Sequence, residues 1–411
     1  MGDEMTEKPK IKVLIVTDSP ILDTGMGIVH RNIGVGLHKK GFEVVSLAWS
    51  SEQSPGRNVP WRLYKTIKQD YYGSNIFDGI IKNERPDIVL TIGDIWTVDF
   101  IRNCKTRNLF QWVGYIAIDG KAYNNGIPPS WMETINDMEC VITYTEYGKE
   151  TILSSIPSLK DKIEIIPHGV DLTKFFPINK DKRMSIRKRH GFADDKILYL
   201  LVARNQFRKN IPEIFKAWAR FTSDELYKDA ILFPHMLFND VYGYNLDELI
   251  KICGIKDSVS YFEQYAHGKN HQDTISDEDM NILYNISDVV VLLSGEGFGF
   301  PIVEAMACMK PLIVLNHSAG GELVGNKGEL VDVDYYVTGI HLTERPYPSM
   351  ESFIEKMKKL YFDEKLREQY GKECFSFIQE YSWDLVIEKW DRLLNKIANP
   401  FTDECKLERI S

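Results

Sequence analysis

Two carboxylates flank a glycine-rich turn in the second half of the chain. Glu296 and Glu304 are separated by seven residues, and Gly295, Gly297 and Gly299 recur through the turn. Glycine lets the backbone turn tightly and approach a ligand closely. Because ionised carboxylates accept hydrogen bonds from hydroxyl groups, the pair predicts a polyol ligand, such as a sugar and a ribose. The alternative is that one Glu stabilises a helix start and the other lies on a solvated face.

A second set of charged residues suits a phosphate. Arg204 and Lys209 lie in a polar segment that follows an apolar run and precedes Ile211-Pro212, where a helix is predicted to open. Guanidinium offers a planar fork and ammonium a point charge, and the N–H groups of a helix start also attract anions. The segment therefore predicts a phosphate site, and the alternative is a solvated basic turn.

Strands followed by helices must position both sets. The apolar run at 288–293 predicts a buried parallel strand, and Pro301 suits the first turn of the helix that follows. Further apolar runs at 196–203, 230–237 and 259–262 predict more strands of the same half. Both charged sets thus stand at strand ends, where open α/β sheets bind ligands.

The first part of the chain shows the same alternation, which predicts a Rossmann-like half with Gly25 and Gly27 in its first loop. Its predicted elements are a strand at 11–16, a helix at 28–40 and a strand at 42–49. NAD is disfavoured, because the dinucleotide fingerprint puts its first Gly directly after the strand. Here eight residues intervene, and His30 stands in the place of the third Gly. Glu52, near the end of the second strand, keeps NAD from being excluded.

Two aspartates end later strands of this half. Asp94 follows the apolar run that starts at Pro86, and Asp119 follows the run that starts at Gln111. Polar groups at the carboxyl ends of parallel strands face the ligand edge of the sheet. Asp119 is the better candidate, because Tyr123 and two asparagines continue a polar loop. The alternative is that each Asp caps a loop or a helix.

The string around the two glutamates resembles a known signature. Glu296-Gly-Phe-Gly-Phe-Pro-Ile-Val-Glu304, followed by Lys310-Pro-Leu-Ile-Val and Gly320-Gly-Glu-Leu-Val, is similar to the Glu-x7-Glu signature of retaining nucleotide-sugar glycosyltransferases with the GT-B fold, the family 4-like or group 1 enzymes. Two positions depart from the family. Met309 stands where the family usually has Gly, and His168 stands where the family's interdomain segment has Asn.

The resemblance implies roles for individual residues. Glu296 and the adjoining loop would hold the transferred sugar, and Glu304 would bind the ribose of the nucleotide. The other residues to which the resemblance gives roles are Gly297, Phe298 and Gly299 for the sugar; Gly25, Gly27, Arg204 and Lys209 for the donor diphosphate; Glu263, Gln264 and Tyr265 for the base pocket; and Asp94, Trp96 and Tyr123 for the acceptor side.

The resemblance also implies the architecture. The expected fold class is α/β, with two Rossmann-like domains facing each other across a cleft and a C-terminal helix that crosses back to the first domain. The acceptor-side domain is predicted at 1–174, together with the returning helix at 384–411. The nucleotide-sugar-binding domain is predicted at 175–383.

Asp119 and Glu296 are the predicted catalytic residues. Many relatives carry a His in the first domain near the sugar, but no His occurs here between His38 and His168. Asp119 takes the matching position. It is either the nucleophile of a double displacement or a group that orients a sugar hydroxyl while the acceptor attacks from the front side. The second role is favoured, because the leaving phosphate can itself take the acceptor's proton.

Composition excludes several other classes. The 411 residues are 44% hydrophobic, which suffices for two domains with cores of their own. The net charge of −9 argues against nucleic acid as a partner. No apolar run is long enough for a membrane span, and the polar first residues predict a cytoplasmic protein. Six scattered cysteines and an isolated His267 and His271 predict no metal site, and Asp332-Val333-Asp334 reads as a strand-end loop.

Together with these residues, the resemblance implies a retaining, metal-independent transferase that moves a hexose from a UDP- or GDP-sugar to a glycan, lipid or other hydroxyl acceptor. Two alternatives belong to other classes. One is a GT-B relative that is not a transferase, namely an epimerase or a phosphorylase. The other is a catalytically silent subunit that binds sugar nucleotides. Peripheral membrane contact stays open, since many relatives glycosylate lipids, and the oligomeric state is open as well.

Overall fold

The computed structural model describes residues 10–50, 58–193, 195–268 and 275–398. Within these residues the chain divides into two compact units. The first unit comprises the described residues of 10–117, 126–168 and 383–398, and the second comprises those of 118–125 and 169–382. Neither unit is one uninterrupted stretch of chain.

The first unit is built on a parallel sheet. Its strands are β1 (Lys12–Asp18), β2 (Glu43–Trp49), β3 (Arg62–Lys65), β4 (Ile88–Gly93), β5 (Gln111–Ile116), β6 (Cys140–Thr143) and β7 (Ile163–Ile165). Among the described residues the strand order is β3-β2-β1-β4-β5-β6-β7, and every neighbouring pair is parallel. The run expected at 11–16 forms β1, in which Val13 to Val16 are fully buried, as a central parallel strand requires.

The helices of the first unit follow its strands. They are α1 (Gly25–Lys39), α2 (Ser74–Glu84), α3 (Pro129–Asn136), α4 (Glu146–Ser155) and, from the end of the chain, α14 (Trp383–Ala398). Helix α1 begins at Gly25, so the prediction of a start at 28 was wrong. Thr24 caps the helix by accepting a hydrogen bond from the Gly27 N–H at 3.0 Å. Gly25 and Gly27 therefore form the first helical turn rather than a loop ahead of it.

The return of the chain to the first unit is confirmed by α14, which packs on α1. Gly36 leaves room for this contact, because a Cβ there would lie 2.5 Å from Ile387 Cδ1. Trp390 is fully buried, with its ring centroid 4.9 Å from that of Tyr115. At the rim, Lys40 pairs with Glu388. The helix buries Val386, Ile387, Trp390 and Leu394.

The second unit has its own parallel sheet. Its strands are β8 (Ile197–Val202), β9 (Ala230–His235), β10 (Val289–Leu292), β11 (Leu312–Leu315) and β12 (Glu329–Val331). In the described part of this unit their order is β12-β11-β10-β8-β9, with parallel pairing throughout. The central strand β10 is buried along its whole length. Two parallel α/β sheets in two units confirm the predicted fold class.

Nine helices belong to the described residues of the second unit. They are α5 (Lys180–Arg189), α6 (Ile211–Thr222), α7 (Leu246–Cys253), α8 (Glu263–Ala266), α9 (Asp277–Ile286), α10 (Phe300–Ala307), α11 (Ser318–Val324), α12 (Met350–Phe362) and α13 (Glu364–Ile378). The strand predicted at 259–262 was wrong, because Val259 makes only an isolated bridge to Leu232 before α8 begins. In both units, no helix of the described residues is long and apolar enough to cross a membrane.

The strands β13 (Val333–Thr338) and β14 (Glu344–Pro348) form an antiparallel hairpin, which is a two-stranded sheet separate from the five-stranded sheet. The sequence predicted only a strand-end loop at Asp332–Asp334. Loop 118–125 packs beside this hairpin, since the Glu344 N–H donates to the Lys121 carbonyl oxygen at 2.7 Å. The loop follows β5 of the first sheet but belongs to the second unit. This grouping differs from the sequence-based boundary at residue 174.

Candidate functional site

The glycine turn joins β10 to α10, as the sequence predicts. Gly299 precedes α10 with φ of +89°, a backbone conformation that favours glycine. Pro301 lies in the first turn of the helix, where its missing N–H costs no hydrogen bond. The turn thus presents the positive end of α10 at the carboxyl end of the central strand. Gly297 is half-buried, and the Phe298 side chain is buried against Phe300, with ring centroids 5.9 Å apart.

Glu296 is held by three side chains. Its carboxylate pairs with the Lys209 ammonium and accepts a hydrogen bond from Ser294 Oγ at 2.6 Å. Its own N–H donates to Ser318 Oγ at 3.0 Å. Because the turn is anchored on both sides, the carboxylate has a defined position at the strand end.

Charge keeps Glu296 ionised despite its burial. Burial by itself raises the pKa of Glu296, but the Lys209 and Arg208 cations and the hydrogen bonds from Lys209 and Ser294 bring that pKa below its usual value. Arg208 Nη1 lies 4.0 Å from the carboxylate. The exposed fraction of the two paired side chains is only 9% for Lys209 and 12% for Glu296. The site therefore holds a cation and an anion that are both shielded from solvent.

Lys209 reaches the glycine turn from the loop after β8. Residues Phe207–Lys209 form one 3₁₀ turn, and Asn210 follows with φ of +53°. The Asn210 amide donates to the Leu293 carbonyl oxygen at 2.7 Å, which ties the loop to the end of β10. The basic segment and the glycine turn meet at one sheet edge, as expected for neighbouring parallel strands.

Arg204 pairs with a different carboxylate, that of Asp240. Its Nε donates to the Asp240 carboxylate at 2.8 Å, and its guanidinium lies 5.5 Å from the centroid of the Tyr242 ring. The Arg204 side chain is half exposed, whereas that of Asp240 is buried. Arg204 is thus positioned by a carboxylate that the sequence analysis did not single out.

Glu304 lies in α10, one turn after Pro301. Its carboxylate accepts a hydrogen bond from the Tyr284 hydroxyl at 2.7 Å. Burial raises the pKa of Glu304 to about 7, even though the hydrogen bond from Tyr284 acts in the opposite direction. Near neutral pH this carboxyl is therefore close to half ionised.

The residues predicted for a base pocket form helix α8. The Glu263 carboxylate lies 2.9 Å from His267 Nδ1, and the Tyr265 ring centroid lies 5.5 Å from that of His235. Gln264 is exposed. His271 lies outside the described residues. Within the described ranges, no group of three or more His, Cys, Asp or Glu side chains has a metal-binding arrangement.

Several predicted residues belong to the first unit. Asp94 follows β4, and Trp96 is 38% exposed, with its ring centroid 5.5 Å from that of Trp131. The N–H of Gly27 is engaged by Thr24, as described above, and Gly25 is exposed at the start of α1. These residues are not part of the second unit, so the structure does not group them with Glu296.

Asp119 and Tyr123 belong to the second unit instead. Asp119 is exposed, Tyr123 is 91% exposed, and the Asp119 carboxylate interacts electrostatically with Lys209. A Cβ at Gly295 would lie 2.8 Å from the Asp119 carbonyl oxygen, so the two loops are in close contact. The structure thus brings Asp119, Lys209 and Glu296 together.

Around the Lys209–Glu296 pair, sequence reasoning missed four side chains: Arg208, Asn210, Ser294 and Ser318. Arg208 and Asn210 flank Lys209 directly, so their position in a basic loop was an available signal. Ser294 and Ser318 are small polar residues at strand ends, and nothing in their local sequence marks them as partners of Glu296. Their role follows only from the tertiary contact.

Comparison with known proteins identifies related chains. Residues 182–375 match the family model described as "Glycosyl transferases group 1". A mannosylfructose-phosphate synthase of Agrobacterium fabrum is 29% identical over 44% of this chain and 38% of its own length. The chain thus spans less than half of that curated relative.

Solved structures cover nearly the whole chain. A sucrose-phosphate synthase of Thermosynechococcus elongatus superimposes with a TM-score of 0.75 at 17% identity, over 95% of this chain and 100% of its own. Alr3699/HepE of Anabaena, in complex with UDP and glucose, superimposes with a TM-score of 0.69 at 13% identity, over 94% of this chain and 100% of its own. At these identities the likeness is one of fold.

Proposed function

We propose that the protein moves a hexose from a nucleoside-diphosphate sugar to a hydroxyl acceptor with retention, because residues 182–375 match the model of the group 1 glycosyl transferases and the chain has the GT-B fold. The donor is a UDP- or GDP-sugar, and the acceptor is a glycan, a lipid or another hydroxyl compound. The observation that carries the proposal is the shielded Lys209–Glu296 pair at the glycine turn. A UDP donor is in line with the UDP bound by the Anabaena neighbour. The described cysteines are free thiols, which suits a reducing compartment such as the cytoplasm.

The chemistry proposed for the second unit needs charge stabilisation more than any other effect. As the bond from the anomeric carbon to the diphosphate breaks, negative charge develops on the leaving phosphate. Lys209, Arg204 and the N-terminal end of α10 supply positive charge for it. The acceptor oxygen forms its bond on the same face of the sugar, and the leaving phosphate takes the acceptor's proton. We propose that the reaction needs no metal, so EDTA should leave activity unchanged.

Donor binding and transfer are tested directly with UDP, GDP, UDP-glucose and GDP-mannose. A ligand at about 100 times its dissociation constant should add about 2.7 kcal/mol to the free energy of unfolding, seen as a raised melting temperature. A panel of sugars and lipids is then offered as acceptors, and the release of free nucleoside diphosphate is measured. Transfer predicts that this release requires an acceptor. A product linkage of the donor's own anomeric configuration supports retention, and an inverted linkage contradicts it.

The two alternatives predict other results. An epimerase or phosphorylase releases no nucleoside diphosphate in response to a hydroxyl acceptor. A silent binding subunit gives the thermal shift but no slow hydrolysis of the donor.

We expect donor binding to depend on pH through Glu304. Ribose hydroxyls donate hydrogen bonds, so they bind the ionised carboxylate, whereas burial places the pKa of Glu304 at about 7 in the free protein. Binding should therefore weaken as the pH falls, by about tenfold in the dissociation constant between about pH 8 and about pH 6. Calorimetric titration with UDP-glucose measures this, because its diester phosphates do not titrate in that range.

Glu304→Gln is the matched control. It keeps the shape and one acceptor oxygen but cannot ionise, so its affinity should be lower at about pH 8 and flat across the range. A pH dependence that persists in this variant would assign the titration to another group.

A further inference from the structure

The hairpin of β13 and β14 is fastened to the glycine turn. The Asn210 side-chain amide, which binds the Leu293 carbonyl oxygen, also donates to the Pro346 carbonyl oxygen at 3.0 Å. Asn210 is almost fully buried. One amide thus joins the loop of Lys209, the end of β10 and strand β14.

The same hairpin holds loop 118–125. The Glu344 N–H donates to the Lys121 carbonyl oxygen at 2.7 Å. Gly120 lies so close that a Cβ there would be 2.8 Å from the Glu344 carbonyl oxygen. The loop is therefore packed between β14 on one side and Gly295 of the glycine turn on the other.

A third contact completes the junction. His317, the residue before α11, has its ring centroid 5.8 Å from that of Tyr336 in β13. It is buried, and a Cβ at Gly295 would lie 3.2 Å from its Nδ1. The hairpin, the loop and the glycine turn therefore form one packed assembly within the second unit.

We propose that the β13–β14 hairpin is a positioning element that fixes loop 118–125 to the donor-binding unit, so that Asp119 recognises the sugar portion of the donor before any acceptor binds. The inference rests on the proposed function, since it presumes a nucleotide-sugar donor. The Asp119 carbonyl oxygen lies against Gly295, and the Asp119 carboxylate interacts with the charge of Lys209. Asp119 is therefore next to the residues proposed for the sugar and diphosphate.

The hypothesis predicts a difference between two ligands. Asp119 should contribute to the binding of UDP-glucose but not to that of UDP, which lacks the sugar. A variant whose hairpin no longer holds loop 118–125 should likewise lose affinity for UDP-glucose but not for UDP. A residue with a merely structural role would change both affinities or neither.

The test compares Glu344→Pro with Glu344→Ala. Both lose the hydrogen bond between the side chains of Glu344 and Thr338, but only proline removes the N–H that binds Lys121. That N–H points out of the hairpin ladder, where proline is tolerated. Calorimetry without acceptor should show a dissociation constant for UDP-glucose about tenfold higher in Glu344→Pro, unchanged affinity for UDP, and near wild-type behaviour in Glu344→Ala.

A double-mutant cycle with Asp119→Ala sharpens the result. If the hairpin acts through Asp119, Glu344→Pro should add no further loss of UDP-glucose affinity to Asp119→Ala. Additive losses, or equal losses for UDP and UDP-glucose, would overturn the proposal. GDP-mannose and GDP serve as the second pair of probes. Failure of the wild-type protein to bind any of the four would overturn the proposed function itself.

Gly120→Ala provides a second variant if Glu344→Pro does not fold. Its methyl group would press on the Glu344 carbonyl oxygen and displace the loop from the hairpin. Gly79→Ala is the matched control, because a Cβ there has no neighbour within 4 Å. The same selective loss for UDP-glucose supports the proposal, and wild-type affinity in Gly120→Ala contradicts it.

Discussion

Asp119→Ala should lower turnover by about 100-fold or more, the scale of losing a positioned group at the reacting centre. Asp119 is exposed, lies in the loop that packs on Gly295, and interacts with the Lys209 charge. Its carboxylate is therefore available to accept a hydrogen bond from the transferred sugar. The affinity for UDP alone should stay nearly unchanged. Steady-state rates of nucleoside-diphosphate release, with calorimetry for UDP, measure the two effects separately.

Two further measurements separate the possible roles of Asp119. Asp257→Ala removes an exposed carboxylate from the same unit but outside the hairpin and should keep full activity, so it controls for general effects of charge. A covalent glycosyl-Asp119 peptide in the mass spectrum of donor-treated enzyme would establish a nucleophile and overturn front-side attack. Full activity of Asp119→Ala would remove the residue from the mechanism.

Lys209→Met should abolish measurable donor binding and lower the free energy of unfolding by about 3–5 kcal/mol. The ammonium is the cation that keeps Glu296 ionised below the surface. Without it, a shielded carboxylate is left with only the Ser294 hydroxyl and the more distant Arg208. Denaturant unfolding gives the stability change, and titration with UDP-glucose gives the binding change.

The loss of stability and the loss of donor binding should separate in the double variant Lys209→Met/Glu296→Gln. Removing both charges takes away the unpaired carboxylate, so most of the lost stability should return while donor binding stays absent. Lys216→Met, which removes an exposed lysine from α6, should be close to wild type in both assays. If the single Lys209 variant kept its stability and its affinity for UDP-glucose, the pair would have no part in either.

Local sequence patterns predicted the parts of the fold that depend on neighbours in the chain. The apolar run before the glycine turn became β10, and Pro301 with Gly299 marked the start of α10. The strand expected at 259–262 failed, because a short apolar run carries no information about whether a partner strand lies alongside. Helix α1 begins at Gly25, before the predicted start at 28, because the Thr24 cap outweighs the low helix propensity of Gly25 and Gly27.

The sequence predicted which residues belong to the site, but not which of them contact each other. Lys209 and Glu296 were both expected near the donor, yet they are 87 residues apart in sequence and their ion pair follows only from the sheet order. The membership of Asp119 in the second unit depends on the hairpin of β13 and β14. For that hairpin, the only sequence prediction was a strand-end loop at its first residues, Asp332–Asp334, which carries no signal for the contact.

The position of α14 has a consequence for synthesis of the protein. The helix completes the first unit by covering Gly36 and Tyr115, but it leaves the ribosome only after the whole second unit. At about 5–20 residues per second, translation of 169–382 takes roughly 10–40 s. During that interval the nascent first unit exposes the apolar surface that Trp390 and Ile387 later bury. Cellular yield should therefore depend on elongation rate and on chaperones that shield this surface until the chain is finished.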